Sequence, residues 1–488
     1  MLRLENPAAI RRAGQFFQDS GYTSKNIHGD LGFTELPWRK LRNRHLLRYK
    51  ARERVPLHVL LRLFYVGDSI PLEQLQGIIP PDVLSAMTDS GLLELTNGIA
   101  AGACFVLPFG EEWVVASDQI THMEDQDLPD IVSQANSTTM ILENFAVRRP
   151  ARAALDLGTG CGALALLLSR FSDSVLATDI NARAIFFTKF NAFLNGVSNI
   201  ECQVSDAFAA AAGRKFDRIL ANPPFYVGPV HHFVFCDSPL ELDGFCRKLA
   251  KEAPQYLEEG GFFQMLCEWV EIAGQPWTDH LTEWFEGSGC DVLVLKYHHM
   301  TPSQYAHDRL FEANPLHPEK DEDVFAERLR FYESHGVHRI CGGAVAMRRR
   351  SGENWIRMED FLNIPKVPFG EAVLDRFATQ DVGMNLTDED IANARPKLSP
   401  HTRLRQEWQQ NNAEWSLVNQ ELGITQGFAA MLRVDPMVAQ TIAQFNGGQT
   451  IRELAAAIAA SVNGNPAMVQ TEVTRLVRKM LRNGFVTL

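Results

Sequence analysis

The amino-acid sequence predicts an α/β protein with a doubly wound sheet at its centre, flanked at both ends by small helical or winged-helix-like domains. Between roughly residues 140 and 350, short apolar runs alternate with stretches of helical apolar spacing. Strands that are buried on both faces of a parallel sheet read as such runs, and helices separate them. The runs are AALDLGTG, SVLATDI, IECQVSDA, FDRILANPP, GGFFQMLCEW, DVLVLKYHH and, after a longer and partly polar helical stretch, ICGGAVAMRRR.

The predicted domains follow from where this alternation begins and ends. Residues 1–130 are expected to form the N-terminal helical or winged-helix-like module, because helical segments with proline at their starts precede a short strand pair. The central sheet is predicted over 131–350. Residues 351–415 are polar, proline-containing and poorly periodic, which indicates a linking region. Residues 416–488 predict a second small module of three helices and a terminal strand after Gly484.

Composition places the chain in the ordinary soluble globular class. Apolar residues make up 45% of the chain and charged residues 22%. Its 488 residues are more than one hydrophobic core usually serves. No window approaches the roughly 20 apolar residues of a membrane span, and the first residues lack the apolar run of a signal peptide. The eight cysteines are scattered without a CxxC pair. We therefore expect a cytoplasmic protein with neither a membrane partner nor a metal site.

Charge is unevenly distributed along the chain. The net charge is −12, yet residues 1–60 carry 12 Lys and Arg against 5 Asp and Glu. Most of this excess lies in RKLRNRHLLRYKARER, residues 39–54. One interpretation is a contact to phosphate or to an acidic partner. The other is a solvated helix face from which Leu41, Leu46 and Leu47 pack inward, and the acidity of the whole chain favours it.

A glycine-rich loop follows the first predicted strand of the sheet. In LDLGTGCGAL, residues 155–164, the glycines remove side chains where a backbone must pass close to a ligand. No basic residue stands in the loop to meet a pyrophosphate, so a dinucleotide is not favoured. The residues expected to bind a ligand here are Asp156, Gly158, Thr159, Gly160 and Gly162.

Acidic residues follow the next two predicted strands. Asp179 ends the second strand, 21 residues after Gly158, where a carboxylate can accept hydrogen bonds from both hydroxyls of a ribose. Alternatively it caps the following helix, although Asn181 is also placed to do so. Asp206 and Phe208 after the third strand suit the edge and the face of an adenine, with helix capping as the alternative for Asp206. The adjoining residues Ile180 and Ala207 complete the expected ligand contacts.

The fourth predicted strand ends in an Asn-Pro-Pro-Phe corner. Asn222 offers a side-chain oxygen, and Pro223 and Pro224 fix φ, so the Pro223 carbonyl would be aimed in advance. These acceptors can hold both protons of a planar NH₂ group while its nitrogen attacks, and Phe225 offers a flat apolar face for that group. The alternative is a strand-ending turn with an exposed aromatic side chain. The position of the corner, about 60 residues after the glycine loop, favours the binding interpretation.

In this order and at these separations, LDLGTGCG, TDIN, SDAF and NPPF resemble class I S-adenosylmethionine-dependent methyltransferases. Within that group the chain is similar to the small-domain branch, which includes release-factor glutamine methyltransferases and ribosomal-RNA guanine methyltransferases. The resemblance covers about residues 130–350 and implies a Rossmann-like methyltransferase sheet that binds S-adenosylmethionine. It also implies that Asn222, Pro223, Pro224 and Phe225 bind the methyl acceptor, and that Asn222 borders the cofactor as well.

The resemblance leaves the methyl acceptor open among a protein or peptide amide, an RNA base amine and a small molecule. A second hypothesis is a non-catalytic winged-helix binding or regulatory protein that senses the cofactor. RNA-modifying relatives place a His directly after the aromatic residue, where this chain has Tyr226; we expect His231 and His232 to lie in a loop over the site. The hydroxyls of residues 137–139 either cap a helix or contact the carboxylate of the cofactor. The oligomeric state is not predicted.

Overall fold

The structure, a computed structural model, describes residues 2–32, 40–119, 130–229, 237–238, 240–313, 322–361, 364–411, 414–424 and 431–488. The chain divides into two compact units, Met1–Ile364 and Pro365–Leu488. Among the helices of the described ranges, none is long and apolar enough to cross a membrane.

The first unit contains thirteen α-helices and thirteen strands in its described part. The helices are α1 (Pro7–Asp19), α2 (Ser24–Leu31), α3 (Lys40–Lys50), α4 (Pro56–Leu61), α5 (Leu72–Leu75), α6 (Pro81–Asp89), α7 (Ser137–Phe145), α8 (Ala163–Ser169), α9 (Ala182–Asn195), α10 (Gly244–Glu252), α11 (Trp277–Phe285), α12 (Pro302–Ala313) and α13 (Glu322–Ser334). The strands are β1 (Ser69–Pro71), β2 (Leu93–Thr96), β3 (Ile99–Gly102), β4 (Phe105–Phe109), β5 (Trp113–Ser117), β6 (Ala151–Leu157), β7 (Ser172–Asp179), β8 (Ile200–Val204), β9 (Phe216–Ala221), β10 (Leu257–Ile272), β11 (Cys290–Met300), β12 (Val337–Arg349) and β13 (Ile356–Asp360).

The predicted doubly wound sheet is confirmed as eight strands in the order β13-β11-β12-β10-β9-β6-β7-β8. All pairings are parallel except those of β12, which runs antiparallel between β10 and β11. The run ICGGAVAMRRR, the last of the predicted strands, forms β12 and separates β11 from β10. The strand order reverses between β6 and β9, and ligands of such sheets bind at the carboxyl ends of strands at this point.

The N-terminal segment packs on the central sheet through helix α9. Gly14 of α1 lies so close to α9 that an added Cβ would be 1.8 Å from the Leu194 carbonyl oxygen. Two buried asparagines of α9, Asn191 and Asn195, each exchange hydrogen bonds with the backbone of β5, at Ala116 and Val114 respectively, over 2.8–3.0 Å. The two amide side chains thus satisfy backbone N–H and C=O groups of β5 and join that strand to α9.

Two arginines of the basic stretch of residues 39–54 are engaged within the fold. Arg44 donates to the backbone carbonyls of Val66 and Gly67, and Arg48 pairs at 2.7 Å with the buried carboxylate of Asp68. Leu47 is buried, whereas Leu46 is 44% exposed. The side chain of Leu41 lies outside the described residues. The interpretation as a packed helix face therefore fits these arginines better than a contact to phosphate.

The predicted linking region, residues 351–415, is built into both units instead. Its first part forms β13, which pairs with β11 at the edge of the central sheet. Its remainder contributes helices and strands to the second unit, and the predicted boundary at 416 falls inside a strand. The prediction failed because an exposed edge strand does not need the apolar alternation by which strands are recognised.

The second unit is a small helical core with a three-stranded sheet and a strand pair. Its elements are α14 (Gly370–Asn385), α15 (Asp388–Asn393), β14 (Lys397–Leu398), β15 (Thr402–Asn411), β16 (Glu414–Ile424), β17 (Met431–Arg433), α16 (Pro436–Ile442), α17 (Ile451–Ser461), α18 (Pro466–Arg482) and β18 (Val486–Thr487). The core packs Leu422 of β16 against Leu454 of α17 and Val477 of α18. The sheet order is β15-β16-β17, and β14 pairs with β18.

Candidate active site

A glycine loop joins the end of β6 to the start of α8, at the point where the strand order reverses. Gly158 and Gly160 have φ angles of +74° and +54°, a region that L side chains disfavour, and a Cβ at either position would meet nothing within 4 Å. A Cβ on Gly162 would lie 3.0 Å from the Cα of Thr188 on α9. The first two glycines therefore shape an open loop, and the third lets α9 approach it.

Asp179, at the end of β7, braces this loop. Its Oδ2 accepts a hydrogen bond from the Gly160 N–H and its Oδ1 accepts one from the Asn181 N–H, each at 2.9 Å. Burial raises the pKa of Asp179 above its ordinary value. The cap of α9 is Asn181, whose side chain accepts from the N–H of Arg183. The capping alternative for Asp179 is thereby removed, and its neighbour Ile180 is 60% exposed.

Asp156 lies underneath the loop. It is fully buried, and its Oδ2 accepts a 2.7 Å hydrogen bond from the Thr159 hydroxyl. Burial raises the pKa of Asp156 to about 7. Neither Asp156 nor Gly162 is among the residues that line the cavity of this site. Both lie behind the cavity wall, and their contact with the cofactor stays a prediction.

After β8, the chain presents Asp206 at the surface. The side chain of Asp206 is exposed, and Ala207 has a φ of +42°. Ser205 Oγ accepts from the N–H of Ala210, whereas the short 3₁₀ helix Ala209–Ala211 has no side-chain cap from Asp206. Phe208 is 2% exposed and stacks on Tyr256 with ring centroids 4.5 Å apart. The prediction that Phe208 offers a face to adenine is therefore wrong, because the ring is committed to the core.

The Asn222 amide is held in one orientation by the start of α7. Its Nδ2 donates to the Thr138 hydroxyl at 3.2 Å and, at 3.4 Å, to that of Thr139. Both hydroxyls donate in turn to Asn136 Oδ1, at 2.7 and 3.2 Å, and Asn136 is the cap of α7. The opposite end of the amide, Asn222 Oδ1, is buried and has no hydrogen-bond partner in the described part of the chain. An acceptor atom is thus fixed in place without a donor.

These elements surround one cavity of about 730 Å³. Its wall includes most of the predicted ligand contacts, namely Gly158, Thr159, Gly160, Asp179, Ile180, Asp206, Ala207, Asn222, Pro223 and Pro224. Asn136 and Thr139 line it as well, so the residues that cap α7 also form part of the cavity wall. Among the described lining residues, three carboxylates (Asp179, Asp206 and Asp237) face a single basic side chain, Lys248. This balance suits a ligand that carries positive charge and donates hydrogen bonds.

Residues 132–286 match the family model of the methyltransferase small domain. This segment is a methyltransferase small domain. The match confirms the resemblance that the glycine loop, the acidic strand ends and the Asn-Pro-Pro-Phe corner indicate, and with it the predicted sheet.

Several curated proteins resemble the chain over this domain. The release factor glutamine methyltransferase of Xylella fastidiosa (strain 9a5c) is 32% identical over 162 residues, 29% of this chain and 57% of that protein. The ribosomal protein L11 methyltransferase of Rhodopseudomonas palustris is 45% identical over 78 residues, 15% of this chain and 26% of that protein. The ribosomal RNA small subunit methyltransferase C of Shewanella halifaxensis is 31% identical over 150 residues, 30% of this chain and 39% of that protein. The chain thus spans little more than half the length of the first and less of the others.

Within the methyltransferase small domain, the aromatic end of the corner is placed differently from the prediction. Phe225 is 7% exposed and does not line the cavity. Its ring meets Tyr226 edge-on, with centroids 5.5 Å apart, and the guanidinium of Arg309 lies 3.8 Å from the centre of the Tyr226 ring. A role for Phe225 as an acceptor platform would require its side chain to turn toward the cavity. His231 and His232 lie outside the described residues.

Two helices beyond the matched segment secure the chain just after this corner. The Val227 N–H donates to the hydroxyl of Tyr305 on α12 at 3.0 Å, and the Val227 carbonyl accepts from Tyr332 on α13 at 2.7 Å. The Tyr305 hydroxyl donates onward to the buried carboxylate of Glu268. The position of Asn222 is thus supported from α7 on one side, and the chain that follows it is fixed by α12 and α13 on the other.

Sequence reasoning missed the wall formed by the segment after this corner. Asp237, Leu240, Phe245 and Lys248 line the cavity, the last two from α10. Phe245 and Lys248 are three residues apart and so share one face of the helix, which was the available signal. Its meaning depends on which face of α10 meets the sheet, and the sequence does not give that orientation. No group of three His, Cys, Asp or Glu side chains in the described ranges is arranged to hold a metal ion.

Proposed function

We propose that the chain is an S-adenosylmethionine-dependent N-methyltransferase whose acceptor is a planar nitrogen. The observation that carries this proposal is the fixed, unsatisfied Oδ1 of Asn222 beside the cavity. A buried oxygen without a donor costs about 1–3 kcal/mol, and because this oxygen belongs to a residue of the cavity wall, a ligand in the cavity is the expected source of the missing hydrogen bond. A planar amide or base amine has such an N–H.

The residues of the cavity fit the proposed cofactor. The open glycine loop leaves room for a ligand at the end of β6, and the Asp179 carboxylate is placed to accept from ribose hydroxyls. Three carboxylates against one lysine suit a ligand with cationic sulfonium and ammonium groups better than one with phosphates. When bound, S-adenosylmethionine would supply an electrophilic methyl group, whose bond to sulfur would break as the acceptor attacks, with the electron pair left on a neutral thioether.

The chain's own contribution to the reaction is to hold and orient the acceptor. Asn222 Oδ1 would accept one N–H of the acceptor, and the Pro223 carbonyl is the second acceptor expected from the sequence. Accepting both protons favours the pyramidal nitrogen whose lone pair forms the new N–C bond. The nitrogen becomes acidic only as that bond forms, and its proton can pass to water. Because Asn222 is already oriented by Thr138 and Thr139, little reorganisation is needed.

A protein amide is the acceptor that the observations favour. The basic stretch that would support RNA binding has Arg44 and Arg48 engaged inside the fold, and the chain carries a net charge of −12. RNA binding by charge alone is poorly supported by such a balance. The similarity to release factor glutamine methyltransferases agrees with this choice. A cytoplasmic location stays a prediction.

The experiment that tests the proposal separates binding from methyl transfer. Cell extract incubated with the chain and methyl-labelled cofactor is fractionated into protein, RNA and small molecules, and the labelled atom is identified. We expect label on a protein nitrogen, and a loss of about 100-fold in rate for Asn222→Ala with cofactor affinity unchanged. Asn385→Ala, at an exposed asparagine that ends α14 in the second unit, is the matched control.

Two results would contradict the proposal. Label found only on carbon or oxygen would rule out a nitrogen acceptor. Cofactor binding without any labelled product would instead favour the second hypothesis, a protein that senses the cofactor without catalysis. That hypothesis gives no reason for the hydrogen-bonded support of Asn222.

A further inference from the structure

Strand β15 of the second unit is a long edge strand with both faces in solvent. It pairs only with β16 in the described sheet, and nine of its ten residues are exposed. The exposed residues run through nearly its whole length, so the strand presents a continuous free edge. Natural proteins usually shorten, bend or cover such an edge, because it is a template for pairing with another strand.

The apolar face of the β15–β16 hairpin exposes three large apolar side chains around the hydrogen-bonded pair of Gln406 and Gln420. Leu404 and Trp408 are 48% and 49% exposed on β15, and Trp415 is 65% exposed on β16. In the hairpin register Trp408 stands opposite Leu417, and Leu404 stands opposite the buried Leu422. The face is therefore an extension of the second unit's core into solvent.

The other face of β15 carries charge. Arg403, Arg405 and Glu407 point to the opposite side of the strand, because they alternate with the residues of the apolar face. Arg405 stands opposite Glu421 in the hairpin. The register shift between Glu407 and Trp408 places the extra residue on β16, so the free edge of β15 keeps its regular alternation.

The strand is complementary to itself when it is paired antiparallel about Gln406. In that register Leu404 of one copy lies opposite Trp408 of the other, and Arg405 lies opposite Glu407, with both pairs occurring twice by symmetry. Cross-strand pairs of these kinds stabilise a sheet, and like charges directly opposite destabilise it. Moving the centre to Arg405 or to Glu407 would place two like charges face to face.

Pairing in this register also continues the rows of the hairpin. On the apolar face, Leu417 and Trp408 of one copy would be followed by Leu404 and Leu422 of the other. On the charged face, Arg405 would lie between Glu421 of its own copy and Glu407 of the second. Each row follows from the observed β15–β16 register together with the proposed one.

We propose that β15 is the interface through which two copies of this chain associate, forming one sheet of six strands about a two-fold axis. The occupant of the edge is a second copy because the apolar and the charged pairs are satisfied by the same sequence in one register. An isologous contact of this kind closes on itself and does not extend into a fibre. The inference is independent of the proposed enzymatic function.

Charge exchange in the full-length chain tests this register. Sedimentation velocity over a concentration series should show a monomer–dimer equilibrium for the natural chain. Arg405→Glu places glutamates opposite each other twice, and Glu407→Arg does the same with arginines. Each should raise the dimer dissociation constant about tenfold or more. The double variant R405E/E407R restores opposite charges across the two-fold axis, although the glutamate introduced at position 405 then stands opposite Glu421 in its own hairpin. It should dimerise more tightly than either single variant, which also shows that these substitutions are compatible with folding.

Mixing the two single variants gives the most specific outcome. The glutamates at both positions of the Arg405→Glu chain then face the arginines at both positions of the Glu407→Arg chain. An equimolar mixture should therefore form the heterodimer, although neither variant dimerises well alone. A natural chain that stays monomeric at every concentration would overturn the proposal and leave the edge to another protein. A dimer whose dissociation constant is unchanged by both single substitutions would equally overturn the proposal, because the contact would lie elsewhere.

Discussion

Replacing Asp179 separates its support of the glycine loop from the hydrogen bonds that we expect it to make with the cofactor ribose. Its carboxylate accepts from the N–H groups of Gly160 and Asn181, each at 2.9 Å, at the wall of the cavity. Asp179→Ala removes both acceptors and the charge. Asp179→Asn keeps the shape but replaces one oxygen by an NH₂ group, which would face an N–H donor.

The magnitude follows from the bonds that are lost. A hydrogen bond to a charged group contributes about 1.5–3 kcal/mol, and each 1.4 kcal/mol is a factor of ten in affinity. With one such bond weakened, Asp179→Asn should bind the cofactor roughly tenfold more weakly. Asp179→Ala, which removes two acceptors from the ligand and loosens the loop, should lose about 100-fold or more.

Isothermal titration calorimetry with the cofactor or its demethylated product measures the dissociation constant, and it does not require that the acceptor is known. The matched control is Asp173→Ala, an exposed aspartate near the other end of the same strand β7. It should bind as the natural chain does. Circular dichroism of all variants checks that the sheet is intact.

The pH dependence gives a second measurement on the same residue. Burial raises the pKa of Asp179, so the ionised form that accepts hydrogen bonds is lost at a higher pH than for an exposed aspartate. Cofactor affinity of the natural chain should therefore fall as the pH is lowered toward that raised pKa, and the Asp179→Asn variant should lack this component. Affinity of Asp179→Ala within about threefold of the natural chain would refute the assignment of this carboxylate to the ribose.

Three further predictions concern other parts of the first unit. Thr138→Val and Thr139→Val remove the acceptors that orient Asn222, so each should lower kcat about three- to tenfold, and the double variant more, with cofactor affinity unchanged by titration. Burial raises the pKa of Asp156 to about 7, so its contribution to stability is full below the unfolded pKa of about 4 and is lost as the pH rises to 7. Between pH 5 and pH 8, the free energy of unfolding of Asp156→Asn should therefore gain ~2 kcal/mol relative to that of the natural chain, as measured by urea unfolding. A difference between the two chains that does not change with pH would contradict this. Gly14→Ala places a Cβ 1.8 Å from a carbonyl oxygen of α9 and should cost about 1–3 kcal/mol by the same method, whereas an unchanged midpoint would show that α1 shifts freely.

The central sheet could be predicted because its strands are buried on both faces. β6 and β9 read as apolar runs whatever their neighbours are, and their ends carry the loop and the Asn-Pro-Pro corner. β13 and β15 could not be recognised in this way. Pattern recognition depends on burial, and β15 has almost none.

For the site, the sequence predicted which residues come together, but it predicted the role of each residue less well. Asp179 and Asn222 line the cavity as expected, since the carboxyl ends of parallel strands meet at one edge. Asp156 and Phe208 are equally close in sequence to the ligand-binding positions, but their side chains point into the core. Side-chain direction at the end of a strand depends on the loop that follows, as with the positive φ of Ala207, and the sequence does not set it uniquely.

The N-terminal segment is structurally part of the proposed catalytic unit. Helix α9 begins beside the cavity, where Asn181 caps it and Asp179 holds the loop, and its other end is fixed to β5 by Asn191 and Asn195. Both amides are buried, so without β5 the side-chain oxygen of each would lose its donor, at about 1–3 kcal/mol each, and each NH₂ group would keep only its bond to Cys161 or Asn191. The helix that borders the cavity is therefore held in part by side-chain hydrogen bonds to β5. A segment joined in this way supports the site and is not a detachable binding module.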